Sequence, residues 1–569
     1  MPDHEEATAS DPLLGRIDEQ DRAAATRQRR RKVILATFAS AVVLLSAFTV
    51  AGILFTKKAS NNGGKPNVIL MISDGFGPAS ETLARNYYQY THDVPAGTQL
   101  PLDTILVGAS RTRSSDSFVT DSAAGATAFA CGIKTLNGAI AVSPGLKPCG
   151  TVLEAAKEQG FLTGMVVTSR ITHGKRSDAH LITIETLGLR QANLATPACF
   201  ASHANSRVLE DDIALHEIGN YTLGRRVDLM FGGGSCFFKP NSEAGSCRSD
   251  NIDAYAMAKD IGWHVASDDR TLFDALDPAS VSLPLLNLFS GDHMAYEIDR
   301  DEKSEPSLKE MALKALDILT LSEKKSKGFF LMIEGSRIDM AAHNNDPATH
   351  VREILAYQQT IEAVKKFVDE NPGTIMISVS DHETGGLSVG RQLDPNQYPV
   401  YNWNPDALTR VQRSTESIAP LLIAHDHRTL RDYIAKTVFP TWLDIHNATT
   451  AEIASVVDLA TATDSDRQIE RLSALLGELS SRRAGLGWAT QGHSAVDVNL
   501  YAYGHNADQL RGNHENTEIG DFIIRHMGLD VGAITTKLTR DPPNDLAALK
   551  APSTRRGDFQ VKHYHSHSK

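Results

Sequence analysis

Three apolar runs along the chain share one design. NVILMISDG closes on Asp74, GFFLMIEG on Glu334, and TIMISVSDHE on Asp381 and His382. A short unbroken apolar run bounded by glycine, proline or acid predicts a strand buried on both faces, because its alternating side chains all meet protein. Patterns such as TVLEAAKEQG and the stretch from Pro347 to Glu370 lie between these runs and predict helices. Strands alternating with helices build a largely parallel sheet covered on both sides. The expected fold class is therefore α/β, a three-layer αβα sandwich. Ligands in such sheets gather beyond the C-terminal strand ends, where these acids fall.

One run breaks the scheme. Val33 to Phe55, VILATFASAVVLLSAFTVAGILF, holds 23 residues without a charge or a proline. About 20 such residues cross the hydrocarbon core as a helix. Arg27, Arg29, Arg30, Arg31 and Lys32 precede it, and only Lys57 and Lys58 follow closely. That asymmetry predicts a single uncleaved anchor with the N-terminus cytoplasmic and the long C-terminal part across the membrane. A cleaved signal peptide would be shorter and begin nearer Met1. The expected organisation is a cytoplasmic tail (1–32), a transmembrane anchor (33–55), a linker (56–65), a large folded unit (66–540) and a flexible tail (541–569). Within the folded unit, residues 405–485 are helical by pattern, carry no chemical motif, and are expected to form a crown-like insertion.

Charge and cysteines narrow the setting. Lys and Arg number 57 against 69 Asp and Glu, a net −12 over 569 residues, which argues against nucleic acid as a partner. Sequons at Asn220 and Asn447 and five cysteines suit a glycosylating, oxidising lumen. Cys236 and Cys247 bracket a short loop and are expected to pair. Cys149 with Cys199 is the second expected pair, leaving Cys131 buried and unpaired.

Carboxylates ending three strands on one rim would repel and raise each other's pKa, and divalent cations remove that problem. Asp339 and His343, in SRIDMAAHNND, are four apart and share one helical face. Asp381 and His382 are adjacent at a strand end, and His493, in ATQGHSAVD, is a further candidate. In FVTDSAAGATAFACGIKT, Asp121-Ser122 heads a run of small residues. Two readings compete there: a helix N-cap, or a nucleophile Ser122 held at a positive helix end.

Taken together, NVILMISDGFG, TDSAAGATAFACGIKTLNGAI, KGFFLMIEGSRIDMAAH, SVSDHETGG and QGHSAVDVNLYAYG resemble the alkaline phosphatases in that family's order, from about Asn67 to Leu529. The likeness is to a fungal vacuolar-type, membrane-anchored member. It implies hydrolysis of small phosphate monoesters with broad specificity and an alkaline optimum. Ser122 is the implied nucleophile of a phosphoserine intermediate, with Asp121 orienting the phosphate-binding arginine. Two zinc ions are implied, one held by Asp339, His343 and His493, the other by Asp74, Asp381, His382 and the Ser122 oxygen. A magnesium ion would be shared by Asp74, Glu334 and a hydroxyl residue. The resemblance also implies a homodimer and a vacuolar membrane, with single-pass type II topology.

In the family an Ala-Thr-Pro-Ala motif carries that hydroxyl, and the arginine follows eleven residues later. ATPACF resumes at Ala195, so Thr196 is the hydroxyl candidate and Arg207 the phosphate clamp; Arg170 is a decoy. The 21 residues from Gly174 to Leu194 are not needed by the pattern, and their removal restores ITHATPACF. A retained intron and a tolerated surface loop both account for them. His173 stands near the phosphate where some members have Asp, and Met340 follows Asp339 where others carry Lys or His. A related sulfatase would need a modifiable Cys at position 122, and a diesterase commonly has Thr there. A metal-free serine hydrolase would need a nucleophile elbow, which is missing around Ser122. A catalytically dead receptor would not need the full ligand set.

Overall fold

The structure is a computed structural model describing residues 65–173, 196–266, 270–322, 326–462 and 467–541, together with Arg27 and Arg29. The apolar run 33–55, the interrupting residues 174–194 and the tail from 542 lie outside the described residues. The chain divides after Gly64 into two units, and the sheet and its helices belong to the second, which begins at Lys65. Among the described residues no helix is long and apolar enough to cross a membrane.

In chain order the strands are β1 (Val68–Ile72), β2 (Leu106–Arg111), β3 (Leu162–Arg170), β4 (Leu229–Gly233), β5 (His264–Val265), β6 (Leu285–Leu288), β7 (Phe329–Glu334), β8 (Ile375–Val379), β9 (Glu383–Thr384), β10 (His493–Ser494), β11 (Val498–Gly504) and β12 (Gly512–Glu515). Ten of them form one sheet in the order β12-β2-β11-β8-β1-β7-β3-β4-β6-β5, while β9 and β10 pair with each other. Only β11 runs against its neighbours, β2 and β8; the other pairings in the large sheet are parallel. The three acid-ended runs are therefore adjacent strands, β8, β1 and β7, and every residue in them is buried. Ile72 stands in register with both Glu334 and Val379. Adjacency and parallel direction bring Asp74, Glu334 and Asp381 to one edge.

Alternation along these strands feeds two cores. Ile69, Met71, Leu331 and Ile333 point into one, and Val68, Leu70, Phe330 and Met332 into the other. The helices that build these cores and the site are α1 (Pro78–Thr91), α2 (Ser122–Cys131), α3 (Val152–Glu158), α4 (Leu308–Ser322), α5 (Arg337–His343), α6 (Pro347–Glu370), α7 (Gln468–Ala484) and α8 (Asn516–Met527). The first core is closed by α1, α4 and α6, and the second by α3 and α8, which gives the three layers. The 405–485 block sends Leu408, Ile418, Leu472 and Leu476 into the same core as α6. Gly477 of α7 packs so closely that a Cβ there would lie 2.6 Å from the carbonyl oxygens of Asn344 and Asn345. The block thus braces the turn directly after His343.

The cysteines correct one expectation. Cys236 is bonded to Cys247, but Cys149 is bonded to Cys131 rather than to Cys199, which is buried and outside both bridges. Helix α2 explains the difference. Cys131 ends it, whereas Cys199 lies against its first turn and donates from its thiol to the Ala123 carbonyl at 3.4 Å. The Cys199 sulfur also accepts from the Thr127 hydroxyl at 3.6 Å, about one turn, roughly 6 Å along the axis, short of Cys131. Cys149→Ser should lower unfolding stability by about 2–4 kcal/mol in denaturant titrations. A Cys199→Ser protein should keep the reductant-sensitive part of its stability. Asn220 and Asn447 are both exposed.

Candidate active site

Both readings of Asp121-Ser122 hold at once. Asp121 caps α2, its Oδ1 accepting from the Ala124 N–H at 3.0 Å, and Ser122 is the first helical residue. The cap satisfies one orphan N–H, and the helix dipole favours negative charge at this end. All of α2 is buried, and a Cβ on Gly125 would lie 2.8 Å from the Asp381 Cβ. Small residues are needed because this helix end is pressed against the strand-end acids.

Ser122 Oγ lies 2.9 Å from His382 Nε2. The same nitrogen is 3.5 Å from Asp74 Oδ1 and 3.3 Å from Asp381 Oδ2. Beside them, His493 Nε2 is 3.7 Å from Asp339 Oδ1 and 3.3 Å from His343 Nε2, which is 3.0 Å from Asp339 Oδ2. The His382 and His493 rings stack with centroids 3.4 Å apart, so the two groups adjoin. Thr196 Oγ1 is 3.3 Å from Asp74 Oδ2, bringing the far side of the 174–194 interruption into the site. Arg207 Nη1 is 3.2 Å from Asp121 Oδ2. Arg170 is held elsewhere, by both oxygens of Glu210 at 3.0 Å. His173 is buried with its ring edge-on to His293 at 4.5 Å. The Met340 sulfur accepts from Arg337 at 2.9 Å.

Two observations test whether these residues suit metal ions. His493 Nδ1 lies 2.8 Å from the Thr120 carbonyl, and His343 Nδ1 is bonded to the Gln491 carbonyl. A carbonyl can only accept, so each ring carries a proton on Nδ1 and turns its Nε2 inward. Those two Nε2 atoms, 3.3 Å apart and both beside Asp339, form a set that can share one cation. In addition, Asp74 Oδ1, Asp381 Oδ2 and both Glu334 oxygens are buried without a hydrogen-bond partner among the described residues. Burial, reinforced by Asp339, pushes Asp381 up to about 7. Burial, with Asp381 adding, lifts Glu334 to about 8. Asp74 is raised well above its ordinary value by burial and then by Asp381, Asp339 and Glu334. His493 is driven far down, first by burial and then by the neighbouring His382. Asp339 is the exception: burial would raise it, but His343, His493 and His382 draw it below its ordinary value. The residues fit. Imidazole with carboxylate suits zinc, and the oxygen-only set Asp74, Glu334 and Thr196 suits magnesium.

The sequence reading missed Thr384, whose hydroxyl donates to Asp339 Oδ1 and lies 3.2 Å from His382 Nδ1. Its place two residues after His382 was the available signal. The Thr120 and Gln491 carbonyls had none, since every residue has a carbonyl.

A family model described as "Alkaline phosphatase" matches residues 65–180 and 188–529, and its one gap falls inside the 174–194 interruption. The chain is 46% identical to an alkaline phosphatase of Schizosaccharomyces pombe, across 85% of this chain and 86% of the relative. It is 42% identical to the repressible alkaline phosphatase of Saccharomyces cerevisiae, across 88% and 87%. Among solved structures, the Thermus thermophilus alkaline phosphatase superposes with a TM-score of 0.67 at 27% identity, covering 82% of this chain and 92% of that one. Sequence relatives, fold and the gathered residues agree, and the chain belongs to the alkaline phosphatase family.

Proposed function

We propose that the protein hydrolyses phosphate monoesters to an alcohol and inorganic phosphate through a phosphoserine at Ser122, with two zinc ions and one magnesium ion per subunit. The observation that carries this reading is the Ser122 hydroxyl 2.9 Å from His382, at a helix N-terminus, beside buried carboxylate oxygens that have no hydrogen-bond partner among the described residues. Asp339, His343 and His493 would hold one zinc. Asp74, Asp381 and His382 would hold the other next to Ser122 Oγ, and Asp74, Glu334 and Thr196 the magnesium. Bound there, such ions supply positive charge that eases loss of the Ser122 proton and stabilises the attacking and leaving oxygens.

The chain's own residues do the rest. Ser122 Oγ bonds to phosphorus as the bond to the alcohol oxygen breaks, and the N-terminus of α2 stabilises the gathering negative charge. Arg207 presents a planar fork to two non-bridging oxygens, and Asp121 sets its approach. Water then cleaves the phosphoserine and restores the hydroxyl. These groups grip phosphate and not the alcohol, which supports broad specificity. Loss of the serine proton favours an alkaline working range.

His382 as a simple general base for Ser122 is the competing reading. Against it, two acidic oxygens converge on the same Nε2, an arrangement suited to ligands sharing a cation. Brief mixing with a radiolabelled monoester, followed by acid quench and peptide mapping, tests the proposal. Label on the Ser122 peptide supports it; unlabelled Ser122, or turnover indifferent to a chelator, would sink it. Arg207→Ala should lower kcat/KM for p-nitrophenyl phosphate by on the order of 10²-fold and weaken phosphate inhibition, with Arg207→Lys restoring little.

The same proposal includes a single-pass type II anchor at 33–55, a lumenal catalytic unit at the vacuole membrane, glycans on Asn220 and Asn447, and a homodimer. The basic flank before Val33 and the exposure of both asparagines support the topology and the glycans. Family likeness supports the vacuole and the dimer.

A further inference from the structure

Arg207 is delivered by a small ribbon outside the main sheet. Ile140 and Ala204 exchange main-chain hydrogen bonds at 2.9 and 3.0 Å, and the Arg207 N–H donates to the Gly138 carbonyl at 3.0 Å. Four residues before Arg207 stands His203, completely buried. Its Nδ1 is 2.9 Å from the Ala141 carbonyl, and its Nε2 is 2.8 Å from Glu154 Oε1. Glu154, on α3, is equally buried; its Oε1 also accepts from the Tyr221 hydroxyl at 2.7 Å, and its Oε2 from the Thr151 N–H at 3.0 Å.

These contacts fix the charges. Burial alone would raise the Glu154 carboxyl, but His203, Tyr221 and Thr151 together hold it below its ordinary value, so it is ionised. His203 then faces an accept-only carbonyl with one nitrogen and a carboxylate with the other. It must carry both ring protons. The result is a buried ion pair with no part in the phosphate chemistry itself.

Such pairs add little net stability, because desolvation offsets most of the attraction, and fixing geometry is their better-attested use. The geometry at stake is visible. The Ala141 carbonyl that receives His203 also receives the Cys149 N–H at 3.0 Å, and Cys149 is bonded to Cys131, the last residue of α2. One carbonyl therefore ties the segment carrying Arg207 to the helix that begins at Ser122. We infer that His203, paired with Glu154, is a positioning residue that sets the Arg207 guanidinium against the Ser122 hydroxyl. The inference rests on the reading of Arg207 as the phosphate clamp.

A double-mutant cycle tests it. His203→Gln retains hydrogen-bonding capacity without charge, and is compared with Arg207→Ala and with the double variant. The readouts are kcat/KM for p-nitrophenyl phosphate and the inhibition constant of inorganic phosphate. His203→Gln should weaken phosphate inhibition and lower kcat/KM by about 10- to 100-fold, the scale of a displaced positioning group. In the Arg207→Ala background the same change should cost less than about twofold, since nothing remains to position. Equal losses in both backgrounds, or an unchanged phosphate constant, overturn the inference while leaving the clamp intact. An Arg207→Ala protein with undiminished phosphate binding would remove the clamp reading itself, and this inference with it. Glu154→Gln, which keeps the ring and the packing, runs the same cycle should His203→Gln fail to fold.

Discussion

Ser122→Ala is expected to lower kcat for p-nitrophenyl phosphate by roughly 10³-fold or more while leaving bound-metal content and thermal stability close to the parent. The asymmetry comes from where Ser122 sits. Its hydroxyl is one of several groups around His382, and the helix is capped by Asp121, not by Ser122. Removing the oxygen therefore takes away the bond-forming atom without uncapping α2 or dispersing Asp74, Asp381 and His382. A buried alanine in its place is isosteric apart from that oxygen. Full activity in a Ser122→Ala protein would end the phosphoserine reading. A parallel collapse of bound-metal content would mean that the hydroxyl is chiefly structural.

How much of this could be read beforehand differs by the kind of interaction. Asp74, Glu334 and Asp381 were legible as a group because each ends an unbroken apolar run, and burial on both faces leaves its mark in composition. That these runs would be neighbours β8-β1-β7 was not legible; strand order depends on long-range packing. Asp339 and His343 were legible from helical spacing, and the structure keeps them 3.0 Å apart. The disulfides show the limit. Loop length suggested Cys236–Cys247 correctly, but Cys149 had two partners of plausible separation, and only the direction of α2 decides between them. Thr384 and the ring-orienting carbonyls were hidden because a hydroxyl next to glycines reads as a turn, and a main-chain oxygen reads as nothing at all.

Stripping the metal ions should make stability depend on pH in a direction opposite to ordinary acid unfolding. In the metal-free site Asp381 is raised to about 7 and Glu334 to about 8, with Asp74 raised as well. Carboxyls raised by folding bind more protons in the native state than in the unfolded chain. Their contribution is complete below the ordinary carboxylate range and is lost as pH climbs through the raised values. His382, lowered to about 4, and His493, also lowered, act the other way, their contribution being lost as pH falls below the ordinary histidine value of 6.5. The two trends oppose each other at lower pH. Above about pH 6.5 the carboxyls act alone, so the thermal midpoint of chelator-treated protein should fall between pH 6.5 and 8. Glu81, raised to about 8 by burial, and Glu353, raised to about 7 by burial, lie outside this site and slope both forms alike. Metal-loaded protein should nevertheless fall less, because bound cations supply the charge the site's carboxylates need and displace their protons. The gap between loaded and stripped midpoints should therefore widen with pH. A stripped protein whose midpoint holds level across that interval would show that these acids do not crowd one another, and the case for a shared metal basin would fall with it.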